Sequence, residues 1–240
     1  MSYPARGLAT ALIIPALNEE AVIASTLRSI PPSLFHTVIV ADNGSTDRTG
    51  EIARAEGATV VREPERGYGA ACLAAIAALP PEVNVIVFMQ ADGSEDPREA
   101  ALLLKPIDDG RADMVIGSRA MGQAEPGALE PHQRFGNWLA TFLVRLIYGH
   151  RYSDLGPFRA IRREALERLR MRDRNYGWTI EMQVRALQHG LRVAEVPVTY
   201  GNRRAGQGKV SASLRASILA GAKIIWTVFR LAMDAPGPRP

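Results

Sequence analysis

Cysteine is almost missing from this 240-residue chain: Cys72 stands alone, so no intramolecular disulfide can form. A chain of this length without cross-links must rely on its own apolar core, and a reducing compartment, the cytoplasm, is the expected home. Long apolar runs are missing too. No stretch of about 18 uninterrupted apolar residues occurs, which argues against a membrane-spanning helix. Residues 1–10, MSYPARGLAT, hold no apolar segment of signal-peptide length, so export by that route is not expected. Zinc-finger spacing, an aromatic RNA-binding motif and a long Lys/Arg block are all lacking, so nucleic acid is not an expected partner. Acidic residues are scarce in one part only. Between residues 145 and 215, 15 Lys and Arg stand against 6 Asp and Glu, a local balance of +9 in a chain whose net charge is +4. Such a patch suits anionic lipid or a phosphorylated small molecule.

What is present is an alternation of short apolar runs and amphipathic segments. TALIIP (10–15), VIVA (38–41), TVV (59–61) and VIVFM (85–89) predict strands. Between them, helices are expected up to Ile30, over 49–56 and over 71–79, bounded by Pro31-Pro32 and Gly57. This order implies an α/β fold with a mostly parallel sheet flanked by helices and right-handed crossovers. Further on, a helix from Pro97 to about 108, a strand over 113–119, a loop over 120–131 and a helix over 134–148 follow. After the loop 153–159 come helices over 163–170 and from 176–179 to about 189, then an edge strand within 191–200 interrupted by Pro197.

The stretch 83–97, VNVIVFMQADGSEDP, carries the most chemistry. Its strand stops at Gln90-Ala91-Asp92-Gly93-Ser94, just past a strand C-terminus, where open α/β sheets bind ligands. On these residues alone two readings stand: Asp92 presents a carboxylate to a hard cation and a phosphate, or Ser94, Glu95 and Asp96 cap the helix that Pro97 begins. Five such strand ends or loops carry polar groups: Asn18/Glu19, Asp42, Arg66 to Gly69, Asp92 and Arg119. A parallel sheet brings them to one rim, which favours a shared site over independent caps. RGYGAA (66–71) lacks the spacings of a dinucleotide or P-loop phosphate cradle. The segment 202–209, NRRAGQGK, joins guanidinium forks and an ammonium across a glycine spacer and suits a clamp on a diphosphate, or else a solvated basic loop.

Taken in order, PALNEE (15–20), DNGSTD (42–47), RGYGAA (66–71), QADGSEDP (90–97), GSR (117–119), DLGPFRAI (154–161), GWTIEM (177–182) and NRRAGQGKVS (202–211) resemble the family 2 glycosyltransferases of the GT-A fold. The branch is similar to polyprenyl-phosphate, dolichol-phosphate-type, mannosyl and glucosyl synthases. The resemblance implies a Rossmann-like GT-A domain over 1–210 and a C-terminal amphipathic helix and tail over 211–240. It implies that Pro15, Ala16 and Glu19 contact the nucleoside, Asp42 reads the base, and Arg66, Gly67 and Gly69 lie against the nucleotide of a UDP- or GDP-sugar. Ala91 and Arg119 belong to the same donor site, and Arg203, Arg204 and Lys209 clamp the diphosphate. Asp92 matches the last acid of the family's Asp-x-Asp motif for Mg²⁺ or Mn²⁺, with Ser94 at a position that often adds a ligand. Gln90 replaces the first acid. An amide oxygen can ligate but carries no charge, so weaker metal affinity or a non-catalytic nucleotide-sugar-binding descendant are the alternatives.

The implied reaction is inverting transfer to a polyprenyl phosphate or other membrane-associated lipid, or alternatively to a small soluble acceptor. A hydroxyl acceptor needs a base, for which Asp154 comes first and Glu181 second; a phosphate acceptor needs none. Residues 211–233 predict a helix with Arg215, Lys223 and Arg230 along one side. Two placements follow: peripheral contact with the inner face of a membrane, or packing on its own domain or in a homodimer.

Overall fold

The computed structural model describes residues 8–203 and 214–234. Seven strands form one sheet in the order β3-β2-β1-β4-β6-β5-β7. The strands are β1 (Thr10–Ala16), β2 (Thr37–Asp42), β3 (Thr59–Arg62), β4 (Val85–Phe88), β5 (Met114–Ser118), β6 (Arg159–Arg162) and β7 (Val193–Pro197). The helices are α1 (Ile23–Arg28), α2 (Thr49–Ala55), α3 (Tyr68–Ala77), α4 (Ala100–Asp108), α5 (Pro131–Tyr148), α6 (Arg163–Leu169), α7 (Trp178–Gln188) and α8 (Leu214–Asp234). A short 3-10 turn, Pro97–Glu99, precedes α4, with the Asp96 side chain accepting from the Arg98 N–H.

Burial explains the strand composition. β1 and β4 are central and covered on both faces, so they read as continuous apolar runs. β3 lies at an edge and is partly exposed. β7 is the other edge, and Pro197 falls at its last position, where the missing N–H disturbs the ladder least. One apolar cluster lies on each face of the sheet; Phe88 of β4 meets Trp178 of α7 edge to face at 6.3 Å.

The sequence reading placed no strand at 159–162, and that strand decides where the site forms. β6 runs antiparallel between β4 and β5, with Arg159 opposite both Phe88 and Ile116. Its entry loop therefore reaches the rim where β1, β2, β4 and β5 end. β7 is parallel to β5 and ends beside Ser118, which delivers residues 198–203 to the same rim. In register, Ala16 pairs with Asp42 and Ile13 with Phe88, so the C-termini of the central strands are aligned.

The glycines of RGYGAA have a packing reason. At Gly67, with φ +155°, an added Cβ would lie 2.0 Å from the Arg174 carbonyl oxygen, and at Gly69 it would lie 2.0 Å from that of Asp173. Only glycine lets these two chain segments cross so closely. Helix α8 packs against α5 and α7, burying Val228 and Leu231 in the same core as Ala140 and Val144 of α5. Lys223 pairs with Asp173 at 3.2 Å, and the Arg230 guanidinium lies 3.9 Å from Glu181. These two cations therefore turn toward buried acids of the protein's own body and not outward, as contact with a membrane through α8's basic side would require.

Candidate functional site

The turn after β4 folds into a compact cluster of oxygens. Asp92, 2% exposed, accepts at Oδ1 from the N–H (3.0 Å) and the hydroxyl (2.6 Å) of Ser94. Ser94 Oγ also lies 3.4 Å from Gln90 Oε1, which accepts from the Tyr200 hydroxyl at 3.3 Å. The other Asp92 oxygen pairs with Arg203 at 3.0 Å. Gln90, Asp92, Ser94 and Arg203, separated by up to 113 positions, thus meet in one cluster. Arg204 and Lys209 lie outside the described residues.

Next to this cluster sits a buried ion pair. Arg119, just past β5, donates from Nε (2.8 Å) and Nη2 (2.7 Å) to the two oxygens of Asp154, and its backbone N–H adds a third bond of 2.8 Å. Its guanidinium stacks over Tyr200 at 5.1 Å. Tyr200, which the sequence reading did not single out, therefore links the Arg119–Asp154 pair to Gln90. Both Asp154 oxygens are occupied by Arg119, so as a general base Asp154 would first have to break a bidentate, desolvated pair. In this geometry Asp154 fixes Arg119.

Glu181 is engaged in a similar way. It is fully buried, accepting the N–H groups of Arg172 (3.0 Å) and Asp173 (2.6 Å) at one oxygen and Arg185 at 2.9 Å at the other. It organises the 172–173 turn between α6 and α7 and, among the described residues, makes no hydrogen bond to the Asp92 cluster.

The nucleoside-side expectations occupy the ends of β1 and β2. Pro15 and Ala16 close β1, and the Ala16 carbonyl accepts from the Asn43 N–H at 2.9 Å. Glu19 is buried, its N–H bonded to Thr49 Oγ1 at 2.7 Å. Asp42 accepts from the Ser45 N–H at 2.9 Å. Asn43, which the sequence reading also passed over, bonds Glu65 O at 2.6 Å and the Gly67 N–H at 2.8 Å, holding the 63–67 segment beside β2. Arg66 is exposed and donates to the Gly44 carbonyl at 3.1 Å. Ala91 is buried, its carbonyl accepting from Thr26 at 3.0 Å. An Asx-type residue at a strand end was the available signal for Asn43; for Tyr200 it was an aromatic ahead of a basic loop.

Whether a divalent cation fits can be judged from the donor set. Gln90 Oε1, an Asp92 oxygen and Ser94 Oγ are hard oxygens, Ser94 Oγ lying within hydrogen-bond reach of each of the other two, and Arg203 already stands on Asp92 as a cation. These donors fit Mg²⁺ or Mn²⁺, which commonly join one carboxylate to substrate phosphates. Among the described residues no group of three or more His, Cys, Asp or Glu is arranged to hold a metal. The site therefore offers one carboxylate with neutral oxygens.

Glu95 adds a buried acid behind the cluster. Its Oε2 accepts the Gln90 N–H at 2.7 Å, while Oε1 is buried with no hydrogen-bond partner among the described residues. Burial pushes its carboxyl up to about 8; the Gln90 N–H opposes this, and the nearby Asp92 charge adds to it. With the folded value above the ordinary 4.5, the folded state keeps a proton that the unfolded chain releases, so stability falls as pH rises from about 4.5 to about 8. In chelator-containing buffer, Glu95→Gln is expected to raise the thermal midpoint at pH 8 and leave it nearly unchanged at pH 5. Midpoints that differ equally at both pH values would contradict this assignment. A cleft of about 830 Å³ borders Ser94, Glu95, Tyr200 and Asn202 and is of ligand size.

A sequence model of glycosyl transferase family 2 matches residues 11–170. An uncharacterized glycosyltransferase of Mycobacterium tuberculosis is 40% identical over 217 residues, covering 89% of this chain and 95% of that protein. The polyprenol monophosphomannose synthase of Mycolicibacterium smegmatis is 33% identical over 228 residues, covering 85% and 82%. Among solved structures, glucosyl-3-phosphoglycerate synthase from Mycobacterium tuberculosis in complex with Mn²⁺, UDP and glucosyl-3-phosphoglycerate superposes with a TM-score of 0.77 at 25% identity, covering 96% of this chain and 81% of that one.

Proposed function

Because the chain belongs to glycosyl transferase family 2, we propose that it moves a hexosyl group from a UDP- or GDP-sugar to a lipid phosphate of the polyprenyl class, aided by Mg²⁺ or Mn²⁺. The donor's nucleoside lies along the ends of β1 and β2, and its diphosphate meets Asp92 and Arg203. The relative named as a polyprenol monophosphomannose synthase supports the lipid acceptor, and the structural neighbour solved with Mn²⁺ and UDP supports the metal and the nucleotide.

The observation that carries the acceptor class is the occupancy of the two candidate bases. Asp154 is bound at both oxygens by Arg119, and Glu181 at both by Arg185 and backbone N–H groups. A phosphate is ionised at neutral pH and attacks without giving up a proton to the protein, so it tolerates this arrangement. A hydroxyl does not. The acceptor oxygen attacks the anomeric carbon from the face opposite the diphosphate, through an oxocarbenium-like state comparable to that of glycoside hydrolysis, and the configuration inverts. Arg203 and the basic residues after it hold the charge growing on the leaving diphosphate, and Arg119, fixed by Asp154 and Tyr200, draws in the acceptor's anion. A divalent cation bound by Gln90, Asp92 and Ser94 would supply further charge stabilisation of the diphosphate.

The test offers radiolabelled UDP-glucose and GDP-mannose with a short-chain polyprenyl phosphate, the matching free polyprenol, or phosphoglycerate. Product from the polyprenyl phosphate is expected. Product from the free alcohol alone would overturn the phosphate reading, and product from phosphoglycerate alone would move the protein to a soluble acceptor, the second reading that the structural neighbour favours.

A further inference from the structure

We propose that the outward faces of α5 and α8 form a membrane-docking surface for an anionic phospholipid bilayer; this deepens the lipid-phosphate reading above and rests on it. On α5, Phe135, Trp138, Phe142 and Leu146 recur at helical spacing on one side and are 45–71% exposed. The three aromatics form a continuous ladder, with ring centroids 5.8 and 5.6 Å apart. On α8, Trp226, Phe229 and Met233 repeat the pattern and are 48–78% exposed. The opposite sides of both helices, at Ala140, Val144, Val228 and Leu231, are buried in one core, and the helices pack against each other. Each helix is therefore apolar on its inner side and again on its outer side.

Solitary exposed apolar residues are ordinary; seven large ones on two adjoining helices mark an interaction surface. Its composition is that of an interfacial helix, with Trp, Phe and Leu on the contacting side. Exposed Arg134 and Arg145 stand on the same helix as the ladder, and Arg145 opens the part of the chain whose local balance is +9. A second copy would bring the same charge against these arginines, whereas an anionic lipid surface brings the opposite one. The cations of α8 take a different role: Lys223 and Arg230, held by Asp173 and Glu181, stack at 4.8 and 4.9 Å from the Trp226 ring centroid and brace it.

The surface is keyed to the site. From α5, Asn137 accepts the Leu155 N–H at 2.8 Å and donates to the Ser153 carbonyl at 3.4 Å, fixing the loop that carries Asp154. A bilayer seated on this face lies beside that loop, where a lipid acceptor's phosphate must enter.

The experiment uses the full chain, without donor, in co-sedimentation with vesicles of phosphatidylglycerol and phosphatidylcholine or of phosphatidylcholine alone. Binding to the anionic vesicles is expected, with a blue shift of tryptophan fluorescence. Phe142→Ser and Phe229→Ser should each weaken partition about tenfold, from the loss of a buried aromatic side chain. Arg134→Gln and Arg145→Gln should each weaken it about fivefold, on anionic vesicles only. A monomer that does not sediment with either vesicle would overturn the proposal. So would a concentration-dependent dimer that the two serine substitutions dissolve while wild type ignores vesicles. Calorimetric titration of nucleotide sugars without lipid separates the two readings: donor binding without vesicle binding defeats the docking surface alone, and vesicle binding without donor binding defeats the transferase mechanism alone.

Discussion

Asp154→Ala is expected to lower the thermal midpoint by roughly 10 °C and to abolish transfer. Breaking a buried ion pair costs about 3–5 kcal/mol because the remaining charge stays desolvated, and a domain of this size loses about 2–4 °C per kcal/mol. Arg119 cannot escape into water: its side chain is 15% exposed and that of Asp154 is 2% exposed. The stacking partner Tyr200 holds the guanidinium in place as well. Loss of stability alone does not separate a fixing role from a chemical one, so the paired substitution Arg119→Met/Asp154→Leu is the informative companion. Removing both charges is expected to restore most of the midpoint, since apolar replacements of buried pairs are often neutral or stabilising. Activity should stay absent, because the cation meant for the acceptor is gone. Full activity in the double variant would remove Arg119 from the mechanism.

The second large effect concerns Asp92. Asp92→Asn keeps the side chain's shape and an oxygen for the Ser94 hydrogen bonds, but removes the charge that faces Arg203 and would face a cation. Losing one such charge-stabilising group typically costs about a hundred- to a thousandfold in kcat. The thermal midpoint should hardly move, since the Arg203 side chain is 34% exposed and can turn to water. Asp92 and Asp154 thus form a contrasting pair: the first variant is folded and inactive, the second destabilised and inactive. A rate within tenfold of wild type for Asp92→Asn, measured with saturating donor and Mn²⁺, would show that the carboxylate is not used.

Much of this arrangement was legible in the sequence, and what was not has identifiable causes. The alternation of apolar runs and helices gave the parallel half of the sheet, because β1 and β4 are buried on both faces and show it in their composition. Strand β6, Arg-Ala-Ile-Arg, has charged ends and too few residues for any periodicity; its pairing with β4 and β5 is a tertiary fact. Since that strand carries Asp154 to the rim, the Asp154–Arg119 pair, 35 positions apart, could not be read either. Asp154 and Glu181 looked like free carboxylates because local sequence does not reveal which arginines will surround a buried acid. The same holds for Lys223 and Arg230, whose spacing on α8 located their side of the helix but not what it faces. By contrast, the Gln90-x-Asp92-x-Ser94 cluster needed only a five-residue turn at a strand end, a local geometry that sequence does specify.

The Asp92 cluster is proposed to bind a nucleotide sugar together with a divalent cation. Calorimetric titration of UDP- and GDP-sugars, each with and without Mn²⁺, on the wild-type chain and on Asp92→Asn tests it directly. One donor class is expected to bind, Mn²⁺ to strengthen its binding, and the substitution to remove the Mn²⁺ dependence. Binding that is equally strong without metal, and equal in the variant, would contradict it and leave Gln90 as the mark of a site that no longer uses a cation.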